Sequence, residues 1–506
     1  MSLTENEIAL APKSSSAIAS EKSTLQWPEW QKFIFRIAFI FFMGMALPTS
    51  WDWVERIFDV DIFHMNYRDL YEIAGYSPKF YTVDSESGKW GLASYAVWGV
   101  IFLVAVAGAV VWTFLDLKRK NYTVLYYWLR VVVRYRVAVG IISFGYVKLF
   151  PSQMPYPSLS VFNTNLGDIL AKQHYWNSVG LVTWYQVFLG FVEIFGGVLL
   201  FSRKTTALGA VFTAGVLFNI AYANHAYDGG VHVYSAYFVI LSLFLLVYHV
   251  PKIWNLLVLE RDVHEKEWHP ALSEKWQFYS AGSIKYGIIA VYVVLFFFIR
   301  MDNHLFAKNP LQKEPSSPGL AGAQGVYNVT EFRLNNTVLP YSPLDTIRWQ
   351  DVIFESWSTL TYKVNRPVRI DLSNGGPQQK DVDKNYELAG VGGGRRFFFY
   401  EIDSVNHVLN LQDKNKGFAG NKDFAKKTGS LSSKNIAKEK NKKDNDRLKL
   451  TLHYQRVSNS RIILSGLNEQ KDSIYVVLDK VEKKYPVLQI PGENVKVLSE
   501  REALNK

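Results

Sequence analysis

The stretch LVTWYQVFLGFVEIFGGVLLFS, residues 181–202, is 22 residues long and holds a single charge, Glu193. At about 1.5 Å of rise per residue it makes a helix long enough for roughly 30 Å of hydrocarbon, so it reads as a membrane span with one ionisable group near its middle. Outward from it, runs of the same kind recur at 33–50, 92–115, 129–150, 206–224, 231–250 and 284–300, and the count predicts seven crossings. Trp27, Trp30, Trp51, Trp53, Trp90, Trp128 and Trp254, with Tyr126, Tyr127 and Tyr248, lie near their ends, where amphipathic rings settle at the headgroup level.

The whole chain has 506 residues, of which 49% are hydrophobic and 15% aromatic, far too apolar for a disordered polymer. It has no cysteine, which excludes disulfides, thiolate metal sites and covalent haem, so any redox chemistry must use a bound cofactor. Residues 1–300 carry a net charge of +3 and residues 301–506 a net charge of +8. The tract Lys414 to Lys443, rich in Lys, Asn, Ser and Gly, has ten Lys against two acids and so matches the whole of the second excess; it reads as a solvated insertion rather than a nucleic-acid face.

Residues 1–29 are polar and lack the short apolar core of a signal peptide, and they are expected to remain as a cytoplasmic tail. Lys118-Arg119-Lys120 with Arg130, then Arg203-Lys204, then Lys252, Arg261, Lys266 and Lys275 mark the loops after the second, fourth and sixth runs as cytoplasmic. Seven alternating crossings of a bacterial inner membrane then put the N-terminus inside and residues 301–506 in the periplasm.

The expected organisation is a cytoplasmic tail at 1–29, a transmembrane pair with an outer loop at 30–123, a four-helix core at 124–255, and a cytoplasmic loop with the seventh span at 256–300. A linker follows at 301–325, dense in Pro, Gly and Ser from Asn309 to Gly325; then come a β-rich domain at 326–490, interrupted by a Lys-rich insertion at 412–446, and a tail at 491–506. Strand-like runs occur at Val326–Leu334, Leu360–Val364, Arg396–Ile402, Val408–Leu411, Arg447–Gln455, Arg461–Ser465 and Ser473–Leu478. Leu448, Leu450, Leu452 and Tyr454 alternate with Lys449, Thr451 and His453, giving one dry and one wet face, as in an antiparallel sheet closed into a small barrel. Gly392-Gly393-Gly394 leads into a strand without a following Gly-Lys-Ser/Thr, so it reads as a turn, not a phosphate loop.

Ionisable groups at membrane depth cost several kcal/mol unless paired or hydrated, which makes each a candidate for function. Glu193 is one, and Arg134 in the third run lies at a similar depth; a buried Glu193–Arg134 pair is one reading, with arginines snorkelling to phosphates and a protonated Glu193 the other. Near the outer mouth, Lys148 ends the third run, and Asn224, His225, Asp228 and His232 surround the turn between the fifth and sixth. These can hydrogen-bond a quinone carbonyl or relay protons, or act as hydrated turn residues and caps; their spacing matches no metal motif. No nucleophile elbow, paired carboxylates or zinc-protease motif appears, so catalytic residues are unknown.

Gly145-Tyr146-Val-Lys148-Leu-Phe, Phe191-Val-Glu193-Ile-Phe-Gly196-Gly197 and Arg203-Lys-Thr205-Thr206-Ala-Leu-Gly209 are similar to the DoxX family of four-helix membrane proteins. Pro151-Ser-Gln153-Met-Pro155-Tyr-Pro157-Ser158, Asn163 to Asp168, and Asn224-His-Ala-Tyr227-Asp228 with Ser235 echo a subgroup with extra N-terminal helices and a β-rich tail. Where that subgroup tends to carry a rim lysine, this chain has His232. The resemblance implies an integral membrane protein with a four-helix core and, through the subunit for which the family is named, a link to quinone oxidation. The functions in competition are a redox-linked accessory subunit holding a quinone with a membrane redox partner, a non-enzymatic envelope scaffold or lipid-binding protein, and a proton-coupled transporter. A lipid bilayer is the partner common to all three.

Overall fold

The computed structural model describes residues 26–78, 95–263, 268–270, 274–306, 312–373, 375–376, 378, 380–415, 447–483 and 485. Most of the N-terminal tail, nearly all of the Lys-rich insertion and the C-terminal tail lie outside these residues. The chain divides into two compact units: one comprises Met1–Tyr146, Phe191–Ala223 and Val231–Arg300, the other Val147–Gly190, Asn224–Gly230 and Met301–Lys506.

The first unit is helical. Each apolar run expected from the sequence coincides largely with a helix: Glu29–Ala46, Tyr95–Leu115, Thr123–Leu149, Thr183–Leu199, Thr206–Ala226, His232–Val247 and the stretch Lys275–Leu305. Among the described residues, three helical segments are by themselves long and apolar enough to cross a membrane: Tyr95–Leu115, Arg203–Ala226 and Lys275–Leu305. The number rises to six if each of three bent pairs counts as one span, and Ala171–Leu181 with Thr183–Leu199 bends by 93°. The 27-residue helix Thr123–Leu149 carries Arg130, Arg134, Arg136 and Lys148 and is not among them. The expected seven spans therefore reduce, on length and apolarity, to three or up to six.

Two buried cations in this unit, Arg36 and Arg136, are satisfied by neutral acceptors. Arg36, 1% exposed, donates to the Tyr122 hydroxyl at 2.9 Å, the Thr113 hydroxyl at 2.7 Å and the Asp116 carbonyl at 3.2 Å. Arg136 donates to the Tyr237 hydroxyl at 3.0 Å and the Ala74 carbonyl at 2.9 Å. A guanidinium with its donors so occupied carries its charge into a helical interior without a carboxylate.

The second unit is built on an antiparallel β-barrel. Its strands are β1 (Gly325–Leu334), β2 (Thr337–Val338), β3 (Asp351–Phe354), β4 (Thr359–Lys363), β5 (Arg395–Asp403), β6 (Val408–Asp413), β7 (Lys449–Arg456), β8 (Arg461–Leu467) and β9 (Ser473–Val481). From β3 each strand pairs with the next, and β9 returns to β1, so eight strands close on themselves while β2 forms a short hairpin flap on β1. Closure leaves the barrel without free edges, and its interior is filled by side chains, as a ring of this size should be. Phe332, Phe354, Leu409, Leu452, Leu464 and Leu478 lie in that core. Trp349 stacks on Tyr362 with centroids 4.0 Å apart, and Tyr362 on Phe398 at 5.4 Å. The alternation expected along β7 is present, with Leu450 and Leu452 buried and Lys449, Thr451 and His453 exposed. Gly394 enters β5 at φ +78°, where a Cβ would stand 1.9 Å from the Val364 carbonyl oxygen, so the glycine run is a turn that only glycine can make.

Two expectations are corrected here. The stretch read as a linker is fastened to the barrel unit: Ser316 and Ser317 donate backbone N–H groups to Asp381 at 2.9 and 2.7 Å, and Leu320 N–H donates to the Tyr400 hydroxyl at 2.8 Å. Lys414, the first lysine of the supposedly solvated tract, is buried. Ser316, Ser317 and Lys414 lie in polar sequence yet find internal partners, which composition alone does not reveal.

Candidate functional site

Within the second unit, residues 147–190 pack with the barrel through buried polar contacts. The short helix Leu159–Phe162 starts at Ser158, whose hydroxyl accepts from Val161 N–H at 3.3 Å. Its other leading N–H groups point to Glu355, at the end of β3. That carboxylate accepts from Leu159 N–H at 3.1 Å, Ser160 N–H at 2.9 Å and the Ser160 hydroxyl at 2.6 Å. Burial, and then the charge of Glu387, push Glu355 up to about 7 against the opposing pull of these bonds. Arg395 forms a two-pronged pair with Asp351 at 2.8 and 3.0 Å and reaches the Asn163 carbonyl at 3.1 Å.

Deeper in the same unit Glu387 and Lys414 pair at 2.5 Å with both side chains at 0% exposure. Glu387 also accepts from Trp357 Nε1 at 2.8 Å and the Thr359 hydroxyl at 3.1 Å. Lys384 bonds Asp381 at 2.9 Å and the Glu314 carbonyl at 2.7 Å. Burial works against the Asp381 charge, but the bonds from Ser317 and Lys384 hold its carboxyl below the ordinary value. Burial likewise pushes the Glu314 carboxyl up and Lys384 down.

Beside this network lies a small recess, partly open to solvent, lined in part by Met154, Pro157, Trp176, Asn177, Lys313 and Tyr386. Lys313 donates to the Gln153 carbonyl at 2.6 Å and stands 4.9 Å over the Trp176 ring. Two buried polar atoms of the lining, Trp176 Nε1 and Tyr386 OH, have no hydrogen-bond partner among the described residues. Burial, followed by the charges of Glu387, Glu314 and Glu355, raises the Tyr386 hydroxyl well above its usual value, so it stays a neutral donor. Two aromatic rings, a cation, side-chain amides and unpaired donors in a concavity are the ingredients of a small-ligand site. The sequence reading missed this site, because Trp176, Lys313 and Tyr386 belong to no motif and come from three separate segments.

The residues singled out from the sequence are divided between the two units. Lys148, Asn224, His225 and Asp228 belong to the barrel unit, and Glu193, Arg134 and His232 to the helical unit. Lys148 and Asn224 are buried, whereas His225 and Asp228 are exposed. Gly229 N–H bonds the Asn224 carbonyl at 2.8 Å, Asp228 has φ +51°, and Tyr227 stacks on Tyr175 at 5.1 Å, so this segment is an ordered helix-ending turn. His232 is 3% exposed and opens its helix beside Tyr95, with ring centroids 6.4 Å apart. Glu193 is 2% exposed. Arg134 donates to the Thr206 hydroxyl at 3.3 Å and to the side chain of the neighbouring Tyr135.

No family model matches the chain, and no solved structure matches it. Over 71 residues it is 38% identical to the uncharacterized protein YwoB of Bacillus subtilis (strain 168), a match covering 14% of this chain. The match spans 46% of that relative, just under half of its length.

Proposed function

We propose that the chain is a DoxX-like, membrane-anchored binding protein of the bacterial inner membrane, whose barrel unit faces the periplasm and holds a small envelope component in the recess beside Trp176. The recess carries this reading: the Lys313 ammonium lines it together with two rings, Trp176 and Tyr386, whose buried polar atoms have no hydrogen-bond partner among the described residues. A buried polar atom without a partner costs about 1–3 kcal/mol, a cost that a ligand bearing hydroxyl or amide groups would relieve. The filled barrel supports a role as a rigid mount rather than as the container. The membrane part of the proposal is supported by the three long apolar helices and by outward-facing Leu103, Phe114, Trp276 and Phe278.

Mass spectrometry of the full-length protein purified in an uncharged detergent tests the binding reading. A co-purifying envelope molecule is expected in the parent and is expected to fall about tenfold or more in Trp176→Ala, since losing an aromatic platform costs on the order of 1–3 kcal/mol. Equal amounts in parent and variant, or no such molecule in either, would reject the recess as the site.

The redox-linked reading draws support from Glu193, a carboxyl buried within an apolar helix. It requires bound quinone that is lost in Glu193→Gln, and an organic extract of the purified protein free of quinone counts against it.

A further inference from the structure

In the helical unit a second recess is lined chiefly by Tyr127, Arg130, Arg134, Arg203, Thr206 and His249. Three guanidiniums converge on it, and among the described residues that line it none is acidic. Like charges gathered in one place repel, so such a cluster is stable only when neutral acceptors or a bound anion occupy its donors.

Neutral acceptors do not suffice here. Arg134 is 9% exposed; it bonds the Thr206 hydroxyl at 3.3 Å and the neighbouring Tyr135 side chain, and its buried Nε has no hydrogen-bond partner among the described residues. Arg130 is held by rings, with its guanidinium carbon 3.4 Å from the Tyr248 centroid, and its buried Nε likewise has no hydrogen-bond partner among the described residues. Arg36 and Arg136, also buried in this unit, are by contrast bonded at several donors by hydroxyls and carbonyls. Arg203 is exposed and stands at the mouth, where a 3-10 turn leads into the 21-residue helix Thr206–Ala226. The N-terminal end of that helix adds positive potential on the same side.

We propose that this recess binds a phosphate group, either on a phospholipid headgroup or free in solution. A tetrahedral oxyanion can accept from several guanidiniums at once, with the Thr206 hydroxyl and the His249 ring at hand as further polar groups. Basic pockets between apolar helices hold lipid phosphates by the same physics.

The test uses the full-length chain in an uncharged detergent, titrated separately with inorganic phosphate, with phosphatidylglycerol and with oleate, an anionic lipid lacking phosphate. Phosphatidylglycerol is expected to bind, and Arg134→Gln and the exposed Arg203→Gln are each expected to weaken it about tenfold, the effect of one charge-assisted bond. Displacement of the lipid by inorganic phosphate at similar concentration would assign the site to free phosphate, and its failure to compete would assign it to the headgroup; both support the inference. Equal binding by oleate, unchanged binding in Arg203→Gln, or no binding of either phosphate probe would overturn it. The recess beside Trp176 lies in the other unit, so this result stands apart from the proposed function.

Discussion

Glu387→Ala is expected to lower the unfolding free energy of the barrel unit by about 3–5 kcal/mol, because it leaves the Lys414 ammonium buried without a counter-charge. The same change removes the acceptor for Trp357 Nε1 and the Thr359 hydroxyl. Thermal unfolding of the purified protein, followed by tryptophan fluorescence, gives the measurement. The double variant Glu387→Met with Lys414→Met is expected to recover most of the loss, since two apolar side chains can replace a buried pair at little cost. A single variant within about 1 kcal/mol of the parent would show that the Lys414 head group finds water or another acceptor instead.

The second large effect is on pH dependence. Burial and the neighbouring Glu387 charge push Glu355 up to about 7 in the folded chain, from an ordinary value of 4.5. The folded state therefore holds this proton more tightly than the unfolded chain does. The contribution to stability is fully present below 4.5 and is lost as pH rises through about 7, amounting to about 3 kcal/mol over that window. Asp381 works in the opposite direction, since its lowered carboxyl stabilises the fold above 3.8, a contribution that fades only in more acid solution. Unfolding curves between pH 5 and 8 are expected to show falling stability in the parent and a flatter profile in Glu355→Gln, which keeps an acceptor for the Leu159–Phe162 turn without a titrating proton. Parallel profiles for the two proteins would refute the assignment.

Much of the architecture was legible because it rests on local periodicity. Apolar runs of about 20 residues located the helices, and alternation along residues 448–454 located a strand with one dry face. β3 escaped because three of its four residues are buried in an unbroken run, which has no period to detect. The 93° bend between Leu181 and Thr183 escaped because a hydropathy window senses composition and not direction. Lys414 was misread for a related reason: its tract is polar, but its ion pair comes from a residue 27 positions earlier. The bonds from Ser160 to Glu355 join residues 195 positions apart, a pairing no short motif encodes. The polar rim gathered from sequence around 224–232 contains an ordered turn, while the better-formed recess is assembled from Trp176, Lys313 and Tyr386.

The cradle that Glu355 and Arg395 make for residues 159–163 has a consequence for biosynthesis. A ribosome delivers the guest segment nearly 200 residues before its host carboxylate emerges. The segment must wait uncovered while the intervening helices are made. An excised fragment beginning at Met301 would carry the host without the guest, so Glu355 and Arg395 would have to exchange the partners supplied by residues 159–163 for water.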